Sequence, residues 1–198
     1  MILLSLLACG GRDGSITPVG DVGIATLDAP ARPMRRMNID QLAASMETVS
    51  GIAWTEEQDG ESVRLFDALS GSLGKPDYLS STYEELSPGL LFQKFLDDAS
   101  KSVCEAWADA ERTGPSAERR LLVHVEPEDT TATNPSGVAE NLSAALLRFH
   151  GRVLAPDDPA LQPWQDLFDA GAAAQADPVD GWRLVCVGLY THPDFYTY

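Results

Sequence analysis

Apolar residues recur at helical spacing along most of the chain. The four clearest stripes are Leu91, Phe95, Ala99, Val103, Ala106 and Trp107; Val138, Leu142, Ala145, Leu146 and Phe149; Leu161, Trp164, Leu167 and Phe168; and Val179, Trp182, Val185, Cys186 and Leu189. Steps of three and four residues place each set on one face of an α-helix, where it can pack on a core. We therefore predict four amphipathic helices in the region that follows residue 87.

Each of these helices is preceded by a capping side chain and a proline. The four pairs are Ser87-Pro88, Asn134-Pro135, Asp158-Pro159 and Asp177-Pro178. The capping side chain accepts a backbone N–H of the first turn, and proline is tolerated there because its missing N–H would have no helical partner. The four pairs therefore predict four helix starts.

Two shorter helices are predicted nearer the N-terminus. Asn38 with Gln41 has the spacing of a capping box, and Gly51 ends the helix that follows. The segment ESVRLFDALSG, residues 61–71, carries apolar residues on one helical face. Leu121 to Val125 has the composition of a strand without an obvious partner. The predicted fold is mainly α, an irregular bundle of about six helices with at most one short strand or hairpin.

The charge of the chain limits its partners. Thirty acidic residues against 14 basic ones give a net charge of -16. Such a charge repels phosphate backbones, so we predict no nucleic-acid partner. No segment has the roughly 20 apolar residues that a membrane-spanning helix needs.

The first nine residues, MILLSLLAC, resemble a bacterial lipobox. In such a signal the peptide is cut before a cysteine that receives acyl chains, and Ala8 is the small residue expected before Cys9. No basic residue precedes the apolar run, which a true start upstream of Met1 would explain. The alternative is a short buried strand or helix end. It is less favoured because the following residues are rich in Gly, Pro and Asp.

This interpretation divides the chain into a signal peptide over 1–8, a flexible tether over 9–36 and a single helical domain over 37–198. A polar loop near 126–134 is a candidate seam within that domain. With Cys9 lipidated, two of the three cysteines remain, Cys104 and Cys186. They form a disulfide in an oxidising compartment or stay as two buried free thiols, and the sequence leaves both alternatives open.

Candidate chemistry is sparse. The chain has no Cys-x-x-Cys-His haem motif, no Gly-x-Ser-x-Gly nucleophile elbow and no phosphate-binding loop. His124, His150 and His192 are isolated along the sequence and are weak candidates for a metal or catalytic site. His150 falls in the last turn of its helix, where the helix dipole explains it, and His192 helps to end the last helix. We predict no cofactor and assign no catalytic residue.

Three phrases resemble the helical domains of unknown function in planctomycete- and myxobacterial-type cytochrome-associated exported proteins. They are RPMRRMNIDQLAASMETVSGI, ALLRFHGRVLAPDDPALQPWQDLF and GWRLVCVGLYTHPDFYTY, and together they cover most of residues 32–198. The family's Glu-Tyr pair is replaced by Gln41-Leu42, and His124 and Ser136 stand near positions where relatives often carry cysteine. The resemblance implies an exported helical protein that works with a surface or redox partner. It supplies no catalytic residue.

Three functions follow as hypotheses. The first is a membrane-anchored lipoprotein of the outer membrane, facing the periplasm or cell surface, whose domain binds a protein partner without catalysis. The second is an accessory subunit of a periplasmic electron-transfer or oxidative system, by analogy with the resemblance alone. The third is a hydrolase with a histidine/carboxylate site, which requires His124, His150 or His192 to meet an acid in a cleft.

Overall fold

The computed structural model describes residues 34–77, 79–80 and 82–198. Its helices within these ranges are α1 Ile39–Ser50, α2 Leu65–Leu69, α3 Leu90–Thr113, α4 Pro135–His150, α5 Gln162–Gln175, α6 Pro178–Thr191 and α7 Pro193–Tyr196. Strands β1 Thr55–Gln58 and β2 Glu61–Arg64 form one antiparallel hairpin. The prediction of a mainly α fold with at most one short hairpin is confirmed. Over the described ranges, no helix is both long enough and apolar enough to cross a membrane.

Most of the predicted helix starts are confirmed. Asn38 and Gln41 form the capping box of α1, and Asn134 and Asp177 cap α4 and α6 through their side chains. Asp158 caps a short 3-10 turn that leads into α5. These local signals work because each cap satisfies N–H groups within its own turn and needs nothing from the rest of the fold.

Two predicted helices begin later than expected. Ser87 does not cap α3, which begins after Gly89. The second predicted helix is shorter than expected, because Glu61–Arg64 pairs with Thr55–Gln58 as a hairpin and only Leu65–Leu69 is helical. The turn of this hairpin, Asp59 and Gly60, has positive φ at both positions, as a tight two-residue hairpin turn requires. Residues 61–64 therefore form a strand, although the apolar pattern predicts a helix there.

Helix α3 contributes the longest buried face of the domain. Its buried residues are Phe92, Phe95, Leu96, Ala99, Ser100, Val103, Cys104, Trp107, Ala108 and Glu111. The predicted stripe included Leu91 and Ala106, and both are exposed. The buried face of α3 is therefore rotated about the helix axis from the face that the sequence pattern predicts. Its last buried residue is Glu111.

The carboxylate of Glu111 accepts hydrogen bonds from four N–H donors. Oε1 accepts from the Trp107 indole N–H at 2.5 Å and from the backbone N–H groups of Arg120 at 2.6 Å and Leu121 at 2.9 Å. Oε2 accepts from Leu122 N–H at 2.8 Å. Charge-assisted bonds of this kind are stronger than neutral ones. One side chain of α3 thus holds the backbone of the segment that follows it.

Asn141 on α4 binds the same segment from the other side. Its Oδ1 accepts from the backbone N–H groups of Val123 at 2.8 Å and His124 at 3.0 Å, and its Nδ2 donates to the Leu121 carbonyl at 2.9 Å. The prediction that Leu121 to Val125 forms a strand is therefore wrong. Two buried side chains, in place of a neighbouring strand, bond the backbone N–H groups from Leu121 to His124 and the carbonyl of Leu121.

Helices α5 and α6 pack closely through glycine. A Cβ atom added at Gly171 would lie 3.0 Å from the Cα of Gly181, and one added at Gly181 would lie 2.6 Å from the Phe168 carbonyl oxygen. Trp182, fully buried, packs on Phe168 with ring centroids 4.6 Å apart. This close approach places the α6 stripe in the core, as predicted for Trp182, Val185, Leu189 and, beyond the helix, Phe195.

The two ends of the described domain pair with each other. Met37 N–H donates to the Tyr196 carbonyl at 2.7 Å, and Tyr198 N–H donates to the Arg35 carbonyl at 3.0 Å. Arg36, which lies between Arg35 and Met37 in the chain, is only 2% exposed. The predicted boundary of the tether at residue 36 is therefore too late, since residues 35 and 36 already belong to the helical domain.

The guanidinium of Arg36 is held by backbone oxygens. It donates to the carbonyls of Met37 at 2.9 Å, Leu73 at 3.2 Å and Glu85 at 2.7 Å, and it lies 4.7 Å from the centre of the Phe92 ring. Burial lowers the pKa of this guanidinium, against the opposing charges of Glu84 and Glu85. Arg36 connects the start of the domain to the polar loop that precedes α3.

We expect Glu111→Gln to destabilise the domain strongly. The amide replaces one acceptor oxygen with an NH₂ group that faces backbone donors, so the loss should be at least about 2 kcal/mol of the free energy of unfolding. Urea denaturation followed by circular dichroism measures it. Glu105→Gln, an exposed change on the same helix, is the control. Equal stability of the two variants would contradict the role assigned to Glu111.

Truncation of the α6 stripe should be costly. Trp182→Ala removes a fully buried indole and should lower the free energy of unfolding by about 3–5 kcal/mol. Leu184→Ala, on the same helix but 38% exposed, should change it by about 0.5 kcal/mol or less. Thermal and urea melts of both variants make the comparison, and a Trp182→Ala protein as stable as the parent would show that the indole does not support the core.

Candidate functional site

Cys104 and Cys186 form a disulfide in the structure. The bond joins the middle of α3 to the middle of α6, and the two cysteines are 82 positions apart in sequence and 5.9 Å apart between their Cα atoms. Both residues are fully buried. Of the two alternatives that the sequence left open, the structure therefore has the bonded pair. Cys9, the predicted lipidation site, lies outside the described residues.

The structure brings two of the three histidines together. The ring centroids of His150 and His192 are 4.9 Å apart, although 42 positions separate the residues in sequence. His124 is not part of this pair and lies in a groove beside α4. Asp194 completes the cluster: one ligand atom from each of His150, His192 and Asp194 lies within 4.8 Å of the other two. These three residues are called the histidine cluster below.

Helix ends place each member of the histidine cluster. His150 is the last residue of α4, which stops at Gly151 in the left-handed conformation. His192 lies between α6 and α7, and its Nδ1 accepts from the Asp194 backbone N–H at 3.1 Å as the N-cap of α7. The predicted position of His150 in a last helical turn and of His192 at the end of a helix is confirmed.

The imidazole of His150 has one occupied nitrogen and one free nitrogen. Nε2 lies 3.0 Å from the carbonyl oxygen of Leu189 on α6. A carbonyl can only accept, so this contact assigns the proton to Nε2 and the lone pair to Nδ1. Nδ1 is buried and has no hydrogen-bond partner among the described residues. Burial lowers the pKa of His150, and the neighbouring His192 contributes in the same direction against the Leu189 bond and Asp194.

Trp164 of α5 forms a wall beside both imidazoles. Its ring centroid is 5.8 Å from that of His150 and 5.9 Å from that of His192. His192 and Asp194 face solvent in part, with side chains 38% and 47% exposed. The cluster therefore has an aromatic wall on one side, one fixed histidine and two side chains that can adjust.

His192 and Asp194 do not form the direct hydrogen bond of a histidine–carboxylate pair. The nearest carboxylate oxygen of Asp194 is 3.7 Å from His192 Nδ1, and that nitrogen already accepts from a backbone N–H. A carboxylate that orients a catalytic imidazole must instead accept its N–H within about 3.2 Å. Two imidazoles and a carboxylate are, by contrast, a set of ligands suited to a divalent transition metal.

Sequence reasoning missed Asp194 and Trp164 as members of this cluster. In the sequence, Asp194 stands within the phrase GWRLVCVGLYTHPDFYTY, and Trp164 is a residue of an apolar stripe. The one local signal is the short His192-Pro193-Asp194 series. His192 and Asp194 lie close to His150 because of how α4 and α6 pack. The spacing of these residues along the chain does not indicate it.

His124 borders an apolar groove of about 370 Å³ on the surface of α4. The groove is lined by Ala144, Leu147, Val153, Leu154 and Pro156, with His124 and Glu140 at one side. Leu147 is 51% exposed and Val153 is 84% exposed. Large apolar side chains that stay exposed in one concave patch are typical of a surface that binds another molecule.

Comparison of the chain with protein-family models, with curated proteins and with solved structures found no match.

The disulfide between Cys104 and Cys186 predicts how many free thiols the chain has before and after reduction. In a Cys9→Ser chain, we expect no reactive thiol under denaturing conditions and two after reduction. Because the disulfide closes a loop of about 80 residues, its reduction should lower the free energy of unfolding by about 2–4 kcal/mol. A thiol assay with and without reductant, paired with urea melts, measures both quantities. Two thiols without reductant would contradict the bonded state.

Proposed function

We propose that the protein is an exported lipoprotein, anchored to the outer membrane through Cys9, whose helical domain binds a protein partner without catalysis. The observation that carries the proposal is the buried disulfide between Cys104 and Cys186. Stable disulfides form in the periplasm and outside the cell and are rare in the reducing cytosol. The disulfide therefore supports export independently of the N-terminal sequence.

The cysteine count is consistent with the same conclusion. The chain has three cysteines, and two of them are bonded to each other. An unpaired third cysteine in an oxidising compartment needs a role of its own, such as a link to another molecule. Lipidation supplies that role for Cys9, which stands after a small residue at the end of an apolar run.

The apolar groove on α4 supports the binding role. Leu147 and Val153 leave apolar surface exposed beside the polar pair His124 and Glu140. Such a patch suits an apolar side chain of a protein partner, since burial of that surface would favour association. The net charge of -16 favours a partner with a basic surface, because opposite charges speed encounter.

The lipid anchor has a direct test. In a bacterial host that processes lipoproteins, metabolic labelling with a palmitate analogue should label the wild-type chain and place it in the outer-membrane fraction. Cys9→Ser should lose the label and leave that fraction, because the acceptor thiol is gone. The Cys104→Ala, Cys186→Ala double variant, which retains Cys9, is the control and should stay labelled. Equal labelling of Cys9→Ser and wild type would exclude the anchor.

A further inference from the structure

We propose that the histidine cluster binds a divalent transition metal of the zinc class through His150, His192 and Asp194. The assignment goes beyond the lipoprotein role and does not depend on the anchor. It rests on the convergence of three ligand side chains within 4.8 Å and on a buried ring nitrogen of His150 that has no hydrogen-bond partner in the part of the chain that the structure describes.

The hydrogen bond of His150 Nε2 leaves Nδ1 in the position of a metal ligand. Histidines that bind metals commonly donate their second ring N–H to a carboxylate or backbone carbonyl, which fixes the tautomer and orients the ring. The Leu189 carbonyl does this for His150 Nε2 at 3.0 Å. The lone pair on Nδ1 is left for a metal, and a buried lone pair without a partner is otherwise unfavourable.

His192 and Asp194 can complete the site with small movements. Two ligands of a tetrahedral zinc ion, each about 2.0–2.1 Å from the metal, are roughly 3.3 Å apart. His192 Nδ1 and Asp194 Oδ2 are already 3.7 Å apart. Both side chains are partly exposed, at 38% and 47%. Metal binding through His192 Nδ1 would replace its hydrogen bond from the Asp194 backbone N–H.

The types of ligand indicate the class of metal. Imidazole nitrogens favour zinc, copper and nickel over magnesium and calcium, which prefer oxygen ligands. Three protein ligands leave a fourth position of a tetrahedral ion for water or for a ligand from a partner. The bound ion would also tie the end of α4 to the junction of α6 and α7, which are the elements that carry the three side chains.

Zinc titration of the full-length chain, processed and purified in detergent without a polyhistidine tag, tests the site. After chelator treatment, isothermal titration with Zn²⁺ should show one site per chain. His192→Ala and Asp194→Asn should each weaken binding by at least tenfold. His124→Ala is the matched control, because His124 is an exposed histidine beside a carboxylate, Glu140, in another part of the domain. Its affinity should equal that of the parent.

A second measurement uses the position of Trp164. Cu²⁺ bound at the histidine cluster should quench the fluorescence of Trp164, and the quenching should be lost in Trp164→Phe and in His192→Ala. Circular dichroism establishes that each variant is folded. The proposal is overturned if the parent binds no Zn²⁺, or if His124→Ala weakens binding as much as His192→Ala does.

Discussion

The carboxylate of Glu111 is the interaction on which the rest of the domain depends. It accepts the N–H groups of Arg120, Leu121 and Leu122, and so returns the chain toward α3 directly after that helix ends. Asn141 holds the next two residues against α4. Leu121 and Leu122 are thereby buried without a strand partner, because side chains accept hydrogen bonds from their backbone N–H groups.

The segment held in this way also connects α1. The Arg120 guanidinium donates to the Thr48 carbonyl at 2.9 Å, and the Arg120 carbonyl accepts from Arg148 near the end of α4. Three helices that are distant in sequence therefore meet at one short stretch of backbone. The hydrogen bonds at this stretch add to the direct packing of α3 on α1 and α4, such as the stacking of Trp107 on Phe149.

The C-terminal half is organised around α6. The disulfide fixes α6 to α3, and the glycine contact between Gly171 and Gly181 brings it close to α5. With α6 held on both sides, His192 at its C-terminal end lies beside His150. Trp164 of α5 lies beside His192. The histidine cluster is thus a consequence of helix packing.

Local information in the sequence determined the helices and most of their ends. Asn38, Asn134 and Asp177 each cap a helix through contacts within three residues, so their role is visible without the fold. The same holds for Gly51 and Gly151, which end α1 and α4 in the left-handed conformation. The mainly α class and the buried α6 stripe follow from this periodic, local signal.

Only the tertiary structure decided the state of Leu121 to Val125, the pairing of Cys104 with Cys186 and the meeting of His150 with His192 and Asp194. The first segment has the apolar composition of a strand, yet Glu111 and Asn141 bond its backbone N–H groups from Leu121 to His124. The cysteine pair and the histidine cluster join residues 82 and 42 positions apart. Such contacts depend on the relative rotation and spacing of packed helices, which side-chain packing sets and the periodicity of one helix does not encode.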